Sequence, residues 1–304
     1  PHMVWNDRKD ALVVAEKRGV IRKIAVPAMR EDRRFWVGAD VWGLAQSKVG
    51  ILVGVEGKGE IWVLKEEDLS VIQKVKMPDA RDVVGFPKDL MAYCGRGERG
   101  MNLEIQILDL TIYYVRKPIV ALNVMKEQGQ KMTIKKFPGA KQLSYFALPT
   151  GTPDGKYVFF ATGSNLHRFR VEQETLVYEE EGPELGKYAR IEISPDSNYV
   201  AAPCDGTAPA GYPPLKPYGT YVFRTNDLQK PEWAIPEVRV VGYSRSGNKV
   251  FGLRDPATLG LFTNKGTKEK SMEIGTGVVR VFPHPDTGRL LVLKSEEVLW
   301  VNLK

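Results

Sequence analysis

The stretch "TPDGKYVFFA" (residues 152–161) is a tight turn followed by an apolar run, and units built like it recur along the whole chain. In the turn, Pro pre-sets φ, Asp bonds its own main chain and Gly accepts positive φ. "KYVFFA" then reads as a buried strand. "SNLHRFRV" (164–171) reads as a second strand, alternating Leu166, Arg168 and Arg170 against His167, Phe169 and Val171. The same unit is present in "SPDSNYVAAP" (194–203) with "TYVFRT", "SRSGNKVFGL" (244–253) with "LGLFTN", and "HPDTGRLLVL" (284–293) with "EVLWVNL". It is present again in "FPKDLMAYC" (86–94) with "LEIQILDL", "SKVGILVGV" (47–55) with "EIWVLK", and "DRKDALVVA" (7–15) with "VIRKIAV". The first strands of these units begin near residues 11, 51, 90, 157, 199, 249 and 290. Most intervals are about 40 residues, and the longer ones hold insertions, "MKEQGQKMTIKKFPGAKQ" (125–142) and "CDGTAPAGYPPLKPYGTY" (204–221).

Each unit also has a strand-like run before its turn, such as "ARIEI" (189–193) and "VRVVGY" (238–243). Outer runs follow the pair, such as "SVIQKVKM" (70–77) and "KSMEI" (270–274), which makes four strands per unit. On this period, and on the "SPDSNYV" and "TPDGKYV" turns, the chain resembles a seven-bladed β-propeller of the WD-repeat-like or YVTN-like kind. The resemblance covers essentially all of residues 4–304. It implies an all-β fold of seven four-stranded antiparallel blades around a channel. No Trp-Asp dipeptide closes a third strand and no Gly-His pair is present, so the repeats are degenerate.

Pro1, His2 and Met3 read as an expression scar, which leaves 4–304 as a single propeller domain cut from a longer protein. The first unit has only Met3–Asn6 before its turn, and the last stops after its third strand. Either that N-terminal stub completes the last blade, or one blade lacks a strand.

An apolar content of 43% supplies a core, and 27% charged residues argue against wholesale disorder. The net charge of +7 is scattered among acids and is a bias toward acidic partners, not a signal. No apolar run approaches the roughly 20 residues of a membrane span. Cys94 and Cys204 end apolar runs and read as small buried hydrophobes, and two Cys with three His offer no metal-ligand spacing. No cofactor and no metal site are expected.

Function is expected on loops. If strands are named outward from the channel, second-to-third-strand loops share a face with the blade-to-blade connections. Both insertions and "CGRGERGMN" (94–102) map to that face. There Arg96, Arg99, Lys135, Lys136, Tyr212, Lys216 and Tyr218 combine cations with tyrosines, types suited to gripping a protein or an acidic peptide. The alternatives are a solvated lysine loop and a proline-stiffened loop folded on its own blade. Arg81, Arg190, Arg239 and Arg280 recur near the starts of inner strands and are channel-mouth candidates for a carboxylate or phosphate. Their registers disagree: Arg190 and Arg280 lie five residues before their turn position, Arg81 and Arg239 six.

No catalytic residue is expected. His167 falls mid-strand and His284 in a turn, and no Gly-x-Ser-x-Gly elbow is present. The acidic run "EQETLVYEEEGPE" (172–184) reads as a solvated outer edge that blocks strand pairing. The function expected is a non-catalytic protein-interaction domain, monomeric in isolation. The alternatives are a YVTN-like lactonase-type enzyme and nucleic-acid binding through the lysine-rich loop. The second of these is disfavoured by the scattered charge and would show steep salt dependence.

Overall fold

The computed structural model describes residues 2–302 except 7, 9, 27, 29, 78–79, 86–90, 97–103, 111–113, 117–145, 163–164, 173–174, 184–190, 205–217, 245, 264, 284–288 and 295–296. The described chain is β throughout, apart from a single 3-10 turn at Lys17–Gly19. Its strands form antiparallel sheets in chain order.

The first sheet holds β1 (His2–Trp5), β2 (Ala11–Ala15), β3 (Val20–Ala25) and β4 (Arg30–Trp36). The second holds β5 (Val41–Ser47), β6 (Gly50–Val55), β7 (Glu60–Leu64) and β8 (Val71–Lys76). The third holds β9 (Ala80–Gly85), β10 (Met91–Arg96), β11 (Glu104–Asp109) and β12 (Tyr114–Arg116). The fourth is built from β13 (Phe146–Gly151), β14 (Tyr157–Thr162), β15 (Asn165–Glu172) and β16 (Thr175–Glu181). The fifth holds β17 (Glu192–Ile193), β18 (Tyr199–Cys204), β19 (Gly219–Arg224) and β20 (Trp233–Pro236). The sixth holds β21 (Arg239–Tyr243), β22 (Lys249–Asp255), β23 (Thr258–Thr263) and β24 (Lys268–Glu273). The last has three strands, β25 (Val278–Pro283), β26 (Arg289–Lys294) and β27 (Val298–Asn302).

The expectation of seven four-stranded blades is therefore corrected to six, with a three-stranded sheet at the end. The reason lies in the N-terminal stub. His2–Trp5 pairs with β2, from His2↔Ala15 to Trp5↔Leu12, and so becomes the first strand of the first sheet. It is not the outer strand of the last. Met3, set aside in the sequence reading, is only 2% exposed in this strand.

The repeated turn has one physical cause. Thr152, Ser194 and Ser244 each open a turn, and their hydroxyl oxygens accept the N–H of Tyr157, Tyr199 and Lys249 at 3.0, 2.8 and 3.1 Å. Three residues into each turn stand Gly155, Ser197 and Gly247, with φ of 74°, 63° and 72°. Their N–H groups return to the carbonyl of the opening residue at 2.9, 2.9 and 3.0 Å. The hydroxyl thus caps the first N–H of the second strand, and the left-handed residue reverses the chain.

Second strands are buried on both faces, which is why they read as continuous apolar runs. In β6, every residue is buried. Ile51, Val53 and Val55 pack with Val13, Ile21 and Val37 of the first sheet and its exit, while Leu52 packs with Val83 and Leu108 of the third.

The chain divides into two compact units, Pro1–Gly151 with Val171–Tyr178, and Thr152–Arg170 with Glu179–Lys304. In the first unit the cores lie between the first and second sheets and between the second and third. In the second unit they lie between the fifth and sixth sheets and between the sixth and seventh. Neighbouring first strands approach closely through glycine. A Cβ on Gly242 of β21 would sit 2.3 Å from the Val281 carbonyl oxygen of β25, so no other residue fits there.

Candidate functional site

In the first unit the site is the end of the first two sheets where second strands turn into third strands. Arg18 sits in the β2–β3 connection at φ 70°, held there by its N–H donating to Asp40 Oδ1 at 3.0 Å. Trp36 closes β4 opposite Val20, the first residue of β3, so its indole stands at this same end. It is 71% exposed, and its Nε1 donates to the Arg18 carbonyl at 3.3 Å. From the β6–β7 turn, Lys58 Nζ donates to the Val37 carbonyl at 3.1 Å. An indole is thereby presented to solvent with its orientation fixed by one hydrogen bond.

Behind this end lies a second tryptophan with the opposite role. Trp62 of β7 is 5% exposed, and Phe35 meets it edge-on at 6.1 Å. Lys74 and Lys58 lie over its ring at 3.9 and 4.7 Å, and its Nε1 donates to Glu60 at 2.8 Å. The cations and the hydrogen bond fix Trp62 as a wall and leave Trp36 as the exposed ring.

In the second unit the corresponding end of the fifth sheet carries Tyr218, 38% exposed, directly before β19. Its carbonyl accepts the N–H of Glu237 at 3.0 Å, which ties the end of the 204–221 insertion to the exit of β20. Exposed Arg254 and Glu237 lie 3.9 Å apart nearby, a pair that solvent screens to little net value.

Of the sequence-predicted contact residues, Tyr218 is described in full. Arg96 ends β10, with its side chain outside what is described. Arg99, Lys135, Lys136, Tyr212 and Lys216 lie outside the described residues. Of the channel-mouth candidates, Arg190 lies outside them, and Arg81 is placed in β9 by its backbone alone.

Arg239 and Arg280 are both engaged by protein groups. Arg239 Nη2 donates to the Val278 carbonyl at 2.8 Å, which links β21 to β25. Arg280 donates from Nε and Nη2 to Glu192 Oε2 at 3.0 and 2.7 Å, and its guanidinium carbon lies 4.6 Å from the Phe282 ring centroid. Tyr243 is buried beside this pair. Burial, with the charges of Glu192, Asp196 and Tyr199, pushes its phenol well above the ordinary range. The first strands of the second unit are therefore cross-tied by arginine.

In the acidic run Glu181 is exposed on the outer strand β16, whereas Glu180 is only 14% exposed in its side chain. It holds Arg168 at 2.9 Å and accepts the N–H of Leu228 at 3.0 Å, clamping the fourth sheet to the loop after β19. Cys204 is buried as expected, and His167 is largely enclosed, with its imidazole pKa pushed down to about 4 by desolvation. Among the described residues no group of three or more His, Cys, Asp and Glu could hold a metal ion. No helix among them is long and apolar enough to cross a membrane.

Sequence reasoning missed Trp36. The run "REDRRFW" carries a signal, since a tryptophan ends a strand of five charged residues with no apolar alternation around it. It also missed Glu192, which reads only as the polar position of a short strand.

Comparison with solved structures gives the fold. The β-propeller domain of Cps50 (Swd1) from Myceliophteria thermophila superposes with a TM-score of 0.71 at 12% identity, covering 99% of this chain and 96% of that one. The fold is a β-propeller. Hydrazine synthase from Kuenenia stuttgartiensis matches with a TM-score of 0.71 at 11% identity, covering 99% of this chain and 94% of that one. No family model matches the chain, and no curated protein matches it in sequence. The propeller resemblance drawn from the turns holds at the level of fold, with the blade count corrected as above.

Proposed function

We propose that the chain, from His2 of the first strand onward, forms a single non-catalytic protein-interaction propeller that takes a protein or acidic peptide segment where second strands turn into third strands. One observation carries this reading. Among the described residues four large hydrophobic side chains are exposed, and the two aromatic ones, Trp36 and Tyr218, both stand at that end of their own sheets. Val71 and Ile72, the other two, lie on the outer strand β8. Tryptophan and tyrosine are among the residue types that dominate interface energetics.

The fold alone does not choose between binding and chemistry, since a β-propeller domain and a chain of hydrazine synthase are similar to it to the same degree. The choice rests on how the polar groups are used. Arg239, Arg280, Glu192 and Arg168 are spent on ties between one sheet and the next or its loops. By their place in the chain, the loops 94–102, 125–142 and 204–221, with Arg96, Arg99, Lys135, Lys136, Tyr212 and Lys216, are proposed as further partner contacts, each beside its own blade.

The test is affinity capture with the whole chain, compared by quantitative mass spectrometry across three variants. Trp36→Ser with Tyr218→Ser is expected to lose the captured proteins at least tenfold. Shortening 204–221 to a tight turn is expected to act in the same direction. Arg289→Ser, at the opposite end of its sheet, is expected to retain them. Loss confined to Arg289→Ser would reverse the assignment.

A further inference from the structure

Where β6 turns into β7, the second sheet gathers three lysines around one carboxylate. Glu60, the first residue of β7, has both oxygens engaged. Its Oε1 takes Lys76 Nζ at 2.8 Å, and its Oε2 takes the Trp62 indole N–H at 2.8 Å. Those two bonds, from Lys76 first and then Trp62, hold its carboxyl below the ordinary range. Lys58 and Lys74 are exposed and left without a carboxylate among the described residues. Lys58 Nζ donates only to the Val37 carbonyl, at 3.1 Å. Glu56, in the same turn, contacts neither lysine.

These two ammonium groups are gathered on a single ring. Lys74 faces Trp62 across the β7–β8 ladder, and its Nζ lies 3.9 Å from the ring centroid. The Nζ of Lys58 lies 4.7 Å from the same ring. The ring is fixed: it is 5% exposed, bonded at Nε1 and met edge-on by Phe35 of the first sheet. A π face attracts a cation without neutralising it, so two positive charges stay concentrated at one place. Held there, the lysines lose less freedom when an anion arrives than two free surface lysines would. Lys58 has two N–H groups beyond the one given to Val37, so it can bind an anion without leaving its place. Val37 directly follows Trp36, so this charge adjoins the strand end that carries the exposed indole.

We infer that Lys58 and Lys74, positioned by Trp62, form the site that takes a carboxylate side chain of the partner segment. The inference deepens the partner reading above and rests on it for the occupant, though not for the anion chemistry. A carboxylate suits this place better than a phosphate, because Glu60 beside the lysines repels a dianion more strongly than a monoanion.

The test replaces all tryptophans of the whole chain with 5-fluorotryptophan and follows Trp62 by fluorine NMR, its resonance assigned with Trp62→Phe. The probes are the peptide Ser-Glu-Glu-Ser-Glu-Glu-Ser, its Gln counterpart, and inorganic phosphate at matched ionic strength. The Glu peptide is expected to shift the Trp62 resonance saturably, and the Gln peptide to leave it in place. Lys58→Met with Lys74→Met keeps the aliphatic cover of the ring. It is expected to weaken Glu-peptide binding by about fivefold or more, with an unchanged unfolding midpoint. Lys48→Met with Lys65→Met, at the other end of the same sheet, is expected to leave binding unchanged. Equal losses in the two double variants would overturn the site in favour of diffuse attraction. Saturation by phosphate at lower concentration than by the Glu peptide would overturn the carboxylate in favour of a phosphate group. An unmoved Trp62 resonance would overturn the site, while loss of captured proteins in Trp36→Ser with Tyr218→Ser would leave the partner reading standing. A Trp62 shift with capture unaffected in that variant would do the reverse.

Discussion

Arg280 places two N–H groups on a single oxygen of Glu192, at 2.7 and 3.0 Å, across 88 positions of sequence. The two residues belong to β25 and β17, with β21 between their sheets in chain order, so one guanidinium ties together first strands that share no ladder. Glu192 is 5% exposed in its side chain and Arg280 22%. Removing one partner of a buried pair takes two charge-assisted hydrogen bonds from the other, which costs on the order of 3 kcal/mol. Arg280→Met is therefore expected to lower the urea midpoint strongly. The double variant with Glu192→Gln is expected to recover part of the loss, because the buried carboxylate is then a neutral amide. A double variant as unstable as the single one would show that packing, not charge, holds this place.

His167 gives a pH dependence with a definite sign. Desolvation lowers its pKa from the ordinary 6.5 to about 4 in the folded state. Below the unfolded value the unfolded chain takes up a proton that the folded chain refuses. Stability is thus full above about pH 6.5 and is lost as pH falls toward 4, by on the order of 2–3 kcal/mol in total. Urea midpoints taken between pH 7.5 and 5 are expected to fall, and in His167→Gln the fall is expected to be much smaller over that window.

The turns make a paired prediction. Ser194 is fully buried, and its Oγ accepts the Tyr199 N–H at 2.8 Å while its hydroxyl donates to Asp196. Ser194→Ala leaves a buried N–H unsatisfied and is expected to cost about 1–3 kcal/mol. Gly155 has φ 74° and nothing within 4 Å of where a Cβ would stand, so Gly155→Ala tests backbone strain alone. That cost is expected to be about 1–2 kcal/mol, and Gly155→Asn is expected to recover part of it. Asp196 adds a proton-linked share. Burial opposes its ionisation, but hydrogen bonds from Ser194 and Asn198 outweigh it and hold the carboxyl below its ordinary value of 3.8. Its contribution is present above that value and disappears as pH falls through the lower folded one.

The starts of the second strands were legible in sequence to within about one residue because turn chemistry and apolar runs are both local. Expected starts near 157, 199 and 249 fall at Tyr157, Tyr199 and Lys249, each capped by a hydroxyl five residues earlier. Which of the two readings of the N-terminal stub holds was not legible. Whether His2–Trp5 pairs with β2 or completes a distant sheet is decided by nonlocal packing, and four apolar-rich residues suit either place. The arginines show the same divide. Their spacing could be read, but a spacing does not reveal that Glu192 waits 88 residues away for Arg280. Tyr218 was visible as an aromatic in an insertion, whereas Trp36 was hidden at the end of an ordinary outer strand.

Trp36 and Trp62 make the sharpest contrast between folding and binding. Trp62 is 5% exposed, bonded to Glu60, flanked by two lysines and met edge-on by Phe35. Trp62→Ala removes a buried ring and is expected to cost about 3–5 kcal/mol. Trp36 is 71% exposed and makes one hydrogen bond, to the Arg18 carbonyl, which water replaces readily. Trp36→Ser is expected to change stability by no more than about 0.5 kcal/mol. If Trp36 serves the partner surface, capture of bound proteins by the same variant falls while its unfolding midpoint stays at the wild-type value. A midpoint that drops together with capture would instead place Trp36 among the residues that hold the first blade together.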